Sequence, residues 1–183
     1  MIVLGIDPGS RRCGYGVVER AGTRLARVAS GVLVPGELPM AERLGLILDG
    51  LSAVLAGSEL DAVAIETAFC GRSPRSALAL GQARGVALAA AAQAGLPVFE
   101  YAPAEVKRAF TGNGRADKAQ MVRTARALFG LQARLSDEAD ALALAVCHLA
   151  RRVASPPPPS SRERATKTRS RLLPSVRRYE EVP

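Results

Sequence analysis

Four acidic residues carry the chemistry this sequence could perform. Asp7 closes a continuous apolar run, IVLGID, and is followed at once by Pro8, Gly9 and Ser10. Glu66 closes a second such run, DAVAIE, while Asp137 and Asp140 stand three residues apart in SDEADALALA. A carboxylate at the tip of a core strand is costly unless something compensates its charge. Asp7 therefore either ties off a turn or holds a cation, and Glu66 is either solvated or a ligand. Asp137 is favoured near a helix start by the dipole alone. Asp140, inside an alanine-leucine run, has no such explanation. Brought to one point, four carboxylates repel strongly unless cations sit between them. An all-oxygen set lacking His and Cys suits Mg²⁺ or Mn²⁺. Two such ions about 3.5–4 Å apart can activate a water and stabilise the leaving oxygen of a phosphodiester.

Whether the acids meet depends on the elements that carry them. IVLGID reads as a central strand of a sheet covered on both faces. CGYGVVER and RLARVASGVLV follow after short turns, as an antiparallel meander. MAERLGLILDGLSAVLAG has helical spacing, so the next strand, DAVAIE, returns parallel to the first. Asp7 and Glu66 then leave the same carboxyl edge, separated by about 4.8 Å of strand spacing plus side-chain reach. That edge is where open α/β sheets place their ligands. PRSALALGQARGVALAAAAQAG is a helix so apolar that it has no proper solvent face, and it is expected to pack on the sheet and on something else. LPVFEYA is a fifth strand. PAEVKRAF, RADKAQMVRTARALFG and SDEADALALAVCHLARR are three more helices, the last capped by Ser136. Asp137 and Asp140 share one face of that helix.

Composition narrows the class. The chain has 183 residues, 48% hydrophobic and 4% aromatic, with no Trp. That is enough for one domain with a core of Ala, Leu and Val. No segment matches a spanning helix or a signal peptide. Cys13, Cys70 and Cys147 are far apart without CxxC spacing, which argues against a disulfide framework or a zinc site and for a reducing, cytoplasmic setting. The net charge of +8 is uneven: residues 1–150 hold 16 Lys and Arg against 14 Asp and Glu, and residues 151–183 hold 9 against 3. The chain divides into a body, residues 1–153, and a basic Pro/Ser/Arg-rich tail, residues 154–183, read as disordered. Such a tail adds salt-sensitive affinity for phosphate backbones. Within the body, Lys107, Arg108, Arg115, Lys118, Arg123 and Arg126 cluster, and Arg72 and Arg75 flank a loop.

Four blocks then acquire a common meaning. LGIDPGSRRCGYGVVE, AIETAFCGRSPRSALALGQARGVAL, PVFEYAPAEVKRAFTGNGRADKAQM and DEADALALA resemble the four signature regions of the RuvC family of Holliday junction resolvases. They occur in the right order over about Met1 to Arg152, and GQARGV and FEYAP are the distinctive ones. The resemblance implies a ribonuclease H-like α/β fold, a mixed five-stranded sheet with helices on both faces. It implies a homodimer that nicks two strands of a four-way DNA junction symmetrically, served by a branch-migration complex of the RuvA and RuvB type. By matching positions, Asp7, Glu66, Asp137 and Asp140 would hold two Mg²⁺ per active site, with Mn²⁺ as substitute or preferred ion. Lys107 and Lys118 would be the basic pair near the scissile phosphate, and Phe69 an aromatic that stacks at the opened junction. Arg72, Arg75 and Arg115 are further candidates for DNA contact. No membrane partner is expected.

The residues themselves agree with this. Lys118 suits charge neutralisation at a phosphoryl group, Phe69 suits stacking on an unpaired base, and an Ala- and Gly-rich helix suits a two-fold contact. Three other readings compete. GIDPGS resembles the phosphate-gripping hairpin of actin-like ATPases and sugar kinases, but the chain has no second half with its own glycine-rich loop. An RNA-processing nuclease of the same fold would lack the GQARGV helix and the E-x-x-F loop. A non-catalytic junction binder would have no need of the complete acid set. His148, the only histidine, lies in LAVCHLA and reads as packed or surface-exposed, and no GxSxG elbow supports a triad.

Overall fold

The computed structural model describes residues 1–67, 73–131 and 136–151. Phe69, Cys70, Arg72 and the tail from residue 154 therefore lie outside the described residues. Five strands, β1 (Ile2–Asp7), β2 (Cys13–Ala21), β3 (Arg24–Leu33), β4 (Ala62–Glu66) and β5 (Val98–Tyr101), form one sheet in the order β3-β2-β1-β4-β5. The first three pair antiparallel, and β4 and β5 continue the sheet in parallel with β1. Five helices complete the described residues: α1 (Met40–Ala56), α2 (Pro74–Gln93), α3 (Pro103–Thr111), α4 (Lys118–Phe129) and α5 (Ser136–Arg151). This is the mixed five-stranded α/β architecture expected from the hydrophobic pattern.

Strand alternation sorts the side chains into two cores. Leu4, Ile6, Val17, Val63 and Ile65 face α1 and α2, packing with Ile47, Leu51, Ala87 and Ala91. Val3, Val18, Ala62 and Ala64 face the other way, against α3, α4 and α5. By the same period of two, Asp7 follows Val3 and Gly5, and Glu66 follows Ala62 and Ala64, on the α5 side.

Helix α5 lies unusually close to that side of the sheet, and glycine is the reason. Gly5 pairs with Gly16 across β1 and β2, and Asp7 pairs with Gly14. A Cβ at Gly5 would stand 1.9 Å from the Ala141 carbonyl oxygen, and one at Gly14 would stand 2.1 Å from that of Asp137. At Gly16 it would meet the Leu142 side chain at 2.9 Å. Three strand glycines thus form a trough for the helix backbone, answered by the buried Ala139, Ala141, Ala143 and Ala145. His148, near the far end of α5, is a core residue. Its Nδ1 lies 2.6 Å from the Tyr101 hydroxyl, and its ring lies 4.5 Å from that of Phe99.

Two expectations need correction. Helix α4 starts at Lys118 rather than Arg115, because Asp117 caps it: the Asp117 carboxylate accepts the Gln120 N–H at 2.7 Å. Ser136, expected as the cap of α5, is instead its first residue.

Candidate active site at the carboxyl edge of the sheet

Each of the four acids reaches the edge by a separate device. Strand β1 ends on Asp7, and β4, in register with it through Ile6 and Ile65, ends on Glu66. Asp137 arrives because its carbonyl lies over Gly14, the cross-strand partner of Asp7. Asp140 sits one helical turn further on, the same face of α5. The start of α5 is held over the sheet by a second contact, Ser30 Oγ to Glu138 Oε1 at 2.6 Å. The turn after β1 is braced by Arg43 of α1, whose Nη1 lies 3.4 Å from both the carbonyl and the hydroxyl oxygen of Ser10.

All four acids are half-buried, and Asp7, Glu66 and Asp140 each feel the charge of at least one other member of the set. Asp7 is pushed up to about 7, first by burial and then by the charges of Asp140, Glu66 and Asp137, with Lys118 pulling the other way. Glu66 is raised by burial and by Asp140, against Lys107. Asp140 is raised by burial and by Asp137, against Lys118 and Lys107. Three like charges acting on Asp7 mean that the edge carries more negative charge than its two lysines offset. Cys13, close by at the start of β2, is pushed up to about 12, chiefly by burial, so its thiol stays protonated.

The donor set is therefore oxygen only and starved of positive charge, which fits hard divalent cations and no soft metal. The fold brings the four backbone positions around one edge. Among the described residues, no three Asp, Glu, His or Cys side chains stand close enough together to hold a metal ion as they are placed.

The two lysines reach this edge from different elements. Lys107 lies on α3 and Lys118 opens α4, beyond the cap at Asp117. Arg115 is exposed in the turn between those helices, where Asn113 Oδ1 accepts its main-chain N–H at 3.0 Å. Arg75 is exposed in the first turn of α2. Neither is among the charges that act on the acids. The sequence offers no signal for Arg84 beyond its polarity on an apolar helix. In the fold its guanidinium donates to the main-chain carbonyl of Glu66 and pairs with Glu100 at 2.7 Å.

Comparison with known proteins decides the family. The family described as crossover junction endodeoxyribonuclease RuvC matches residues 3–148. The chain belongs to the RuvC family. A RuvC of Anaeromyxobacter dehalogenans (strain 2CP-C) is 73% identical over 157 residues, covering 86% of this chain and 85% of that protein. A RuvC of Trichlorobacter lovleyi is 49% identical over 151 residues, 81% of this chain and 85% of its own length. Among solved structures, T. thermophilus RuvC in complex with Holliday junction substrate is similar with a TM-score of 0.76 and 37% identity, over 86% of this chain and 99% of that one. The yeast mitochondrial Holliday junction resolvase Ydc2, at 13% identity and a TM-score of 0.54 over 79% of this chain and 77% of that one, shares the fold alone. The fold is therefore that of the RuvC resolvases, the ribonuclease H-like architecture expected from the motifs. Among the described residues, no helix is long and apolar enough to cross a membrane.

Proposed function

We infer that this chain is a Holliday junction resolvase: a metal-dependent endonuclease that nicks two strands of a four-way DNA junction symmetrically, leaving 5′-phosphate and 3′-hydroxyl ends. The observation that carries the site assignment is the burial of Asp7 at a sheet edge where Asp140, Glu66 and Asp137 also act on it, which together lift it to about 7. On this reading Asp7, Glu66, Asp137 and Asp140 hold two Mg²⁺ or Mn²⁺ ions. Bound there, divalent ions supply ionisation of water near neutral pH and offset the charge of the scissile phosphate. The chain's own part is to place oxygen ligands, to give up the Asp7 proton as the site fills, and to set Lys107 and Lys118 beside the phosphate. Arg75 and Arg115, with Phe69 and Arg72 from outside the described residues, would grip the junction arms.

Two symmetric nicks call for two copies related by a two-fold axis. Helix α2 supports a homodimer built on its outer side. It buries only Ala83, Ala87, Ala90 and Ala91 within the chain, whereas Leu78 is 65% exposed. Gly81 and Gly85, one turn apart, have no atom within 4 Å of where a Cβ would stand, so a second helix could approach closely. A cytoplasmic location and service to a branch-migration complex of the RuvA and RuvB type belong to the same reading.

The test is a nicking assay on an immobile four-way junction, a linear duplex and a structured RNA, with and without Mg²⁺ or Mn²⁺. Paired nicks on the junction alone, and only with the ion, are expected. Equal cleavage of RNA would move the activity to RNA processing, and binding without cleavage would leave a junction-binding protein.

The tail makes a separable contribution. Ending the chain after Arg152 removes half of the excess positive charge. Junction affinity should fall about threefold to tenfold, with a shallower dependence on salt, while the nicking rate at saturating protein stays unchanged. Electrophoretic mobility shifts at several salt concentrations, alongside single-turnover nicking, measure both.

A further inference from the structure

The GQARGV block contains a charge that the site described above does not use. Arg84 lies on the sheet-facing half of α2, between the buried Ala83 and Ala87, and its side chain is only 11% exposed. Sinking a guanidinium this deep is costly unless its donors are satisfied. They are satisfied in a fork: one Nη donates to the main-chain carbonyl of Glu66, and the other lies 2.7 Å from Glu100 Oε2. Glu100 belongs to β5, and the first backbone group beyond β4, the Thr67 N–H, donates to the Tyr101 carbonyl of β5 at 2.9 Å. The last residue of β4 is thus clamped between β5 and α2 where the strand runs out of ladder.

We propose that Arg84 is a positioning residue: it ties α2 and β5 to the backbone of Glu66 and so fixes where that carboxylate meets the other three acids. The proposal rests on the reading of Glu66 as a metal ligand. It acts through geometry, because the influences on the Glu66 carboxyl are burial, Asp140 and Lys107, and not Arg84. A ligand must be held within about 0.5 Å of its productive position, and a strand end held on one side alone lacks that restraint. A planar two-pronged donor fits the task, since lysine cannot span a carbonyl and a carboxylate with fixed angles. On the dimer reading, the helix that meets the second copy and the backbone of a catalytic acid become one rigid unit.

Full-length protein without DNA, titrated with Mn²⁺ and followed by electron paramagnetic resonance, reads the effect apart from activity. Arg84→Gln should weaken Mn²⁺ binding about tenfold, as loss of a group supporting a metal ligand commonly does. The Mg²⁺ concentration for half-maximal nicking should rise by the same factor, with the rate at saturating Mg²⁺ largely recovered and junction affinity unchanged. Arg84→Lys should fall between Arg84→Gln and the parent. Glu100→Gln, at a half-exposed side chain that puts folding at little risk, should weaken Mn²⁺ binding about threefold. A folded Arg84→Gln protein with Mn²⁺ affinity and Mg²⁺ requirement within about twofold of the parent overturns the proposal. Should Arg84→Gln fail to fold by circular dichroism, an unchanged Glu100→Gln protein overturns it instead. Glu66→Gln serves as reference: if it binds Mn²⁺ and nicks like the parent, the metal-ligand reading of Glu66 is what has failed.

Discussion

An Asp7→Asn protein is expected to lose junction nicking by at least about a thousandfold while folding more stably than its parent in the absence of divalent ions. The two effects have one cause. Asp7 is half-buried at the end of β1 and faces three other acids, which together with burial lift it from 3.8 to about 7. A group whose folded value is raised favours the folded state while protonated, and that benefit disappears as pH climbs through the folded value. The metal-free parent should therefore lose stability between about pH 4 and pH 7. The full loss is about 4 kcal/mol by the size of the shift, an upper limit because solvent at the open edge screens the charge. Asparagine has no proton to lose. The stability advantage of the variant should accordingly grow over that window and level off above it. Adding Mg²⁺ should stabilise the parent and not the variant, and should release protons from the parent near neutral pH. Urea denaturation at several pH values, with and without Mg²⁺, checks the sign. Junction binding without ions should survive the substitution, and its loss would give Asp7 a structural role instead.

Gly5→Ala should be the most damaging single methyl group in the molecule. Its Cβ would stand 1.9 Å from the Ala141 carbonyl oxygen and 2.8 Å from the Ala145 nitrogen, both main-chain atoms of a regular helix. No rotamer change relieves that contact, so α5 has to lift off the sheet. Overpacking a core costs about 1–3 kcal/mol where side chains can adjust, and here the loss should reach or exceed the upper end. That is a large share of the roughly 5–15 kcal/mol that holds a domain together. The displaced helix carries Asp137 and Asp140, so nicking by any folded fraction should fall as well. Gly45→Ala is the matched control. Gly45 lies in α1 with no atom within 4 Å of the added position, and alanine there should stabilise the chain by up to about 1 kcal/mol. Denaturant midpoints for the two variants should move in opposite directions. A Gly5→Ala protein as stable as the parent would mean that α5 does not lie in the glycine trough.

Much of this was legible in the residues. Apolar runs ending on Asp7 and Glu66, with a helical segment between them, require parallel neighbours whose acids share an edge. The pattern SDEADALALA places Asp137 and Asp140 on one helix face. The alternation of Gly14 and Gly16 on one strand and Gly5 on its neighbour is also visible, and it signals close backbone approach. The partner of that approach is not visible, because the closest contacts join residues 123 to 136 positions apart. Arg84 is similar. On a near-apolar helix it stands out only as one of a few polar residues, and only the packing of α2 against β4 and β5 gives its charge a partner.

Local order therefore came from short-range rules: the two-residue period of strands, the helical repeat, and the Asp117 cap, all enforced by neighbours in the chain. How the acids stand to one another was decided at longer range. It depended on α5 seating in a groove free of side chains, and on arginines from α1 and α2 reaching the ends of strands that belong to other parts of the sequence. Steric exclusion and the cost of stranding a buried charge act between surfaces, and those surfaces exist only once the sheet has formed.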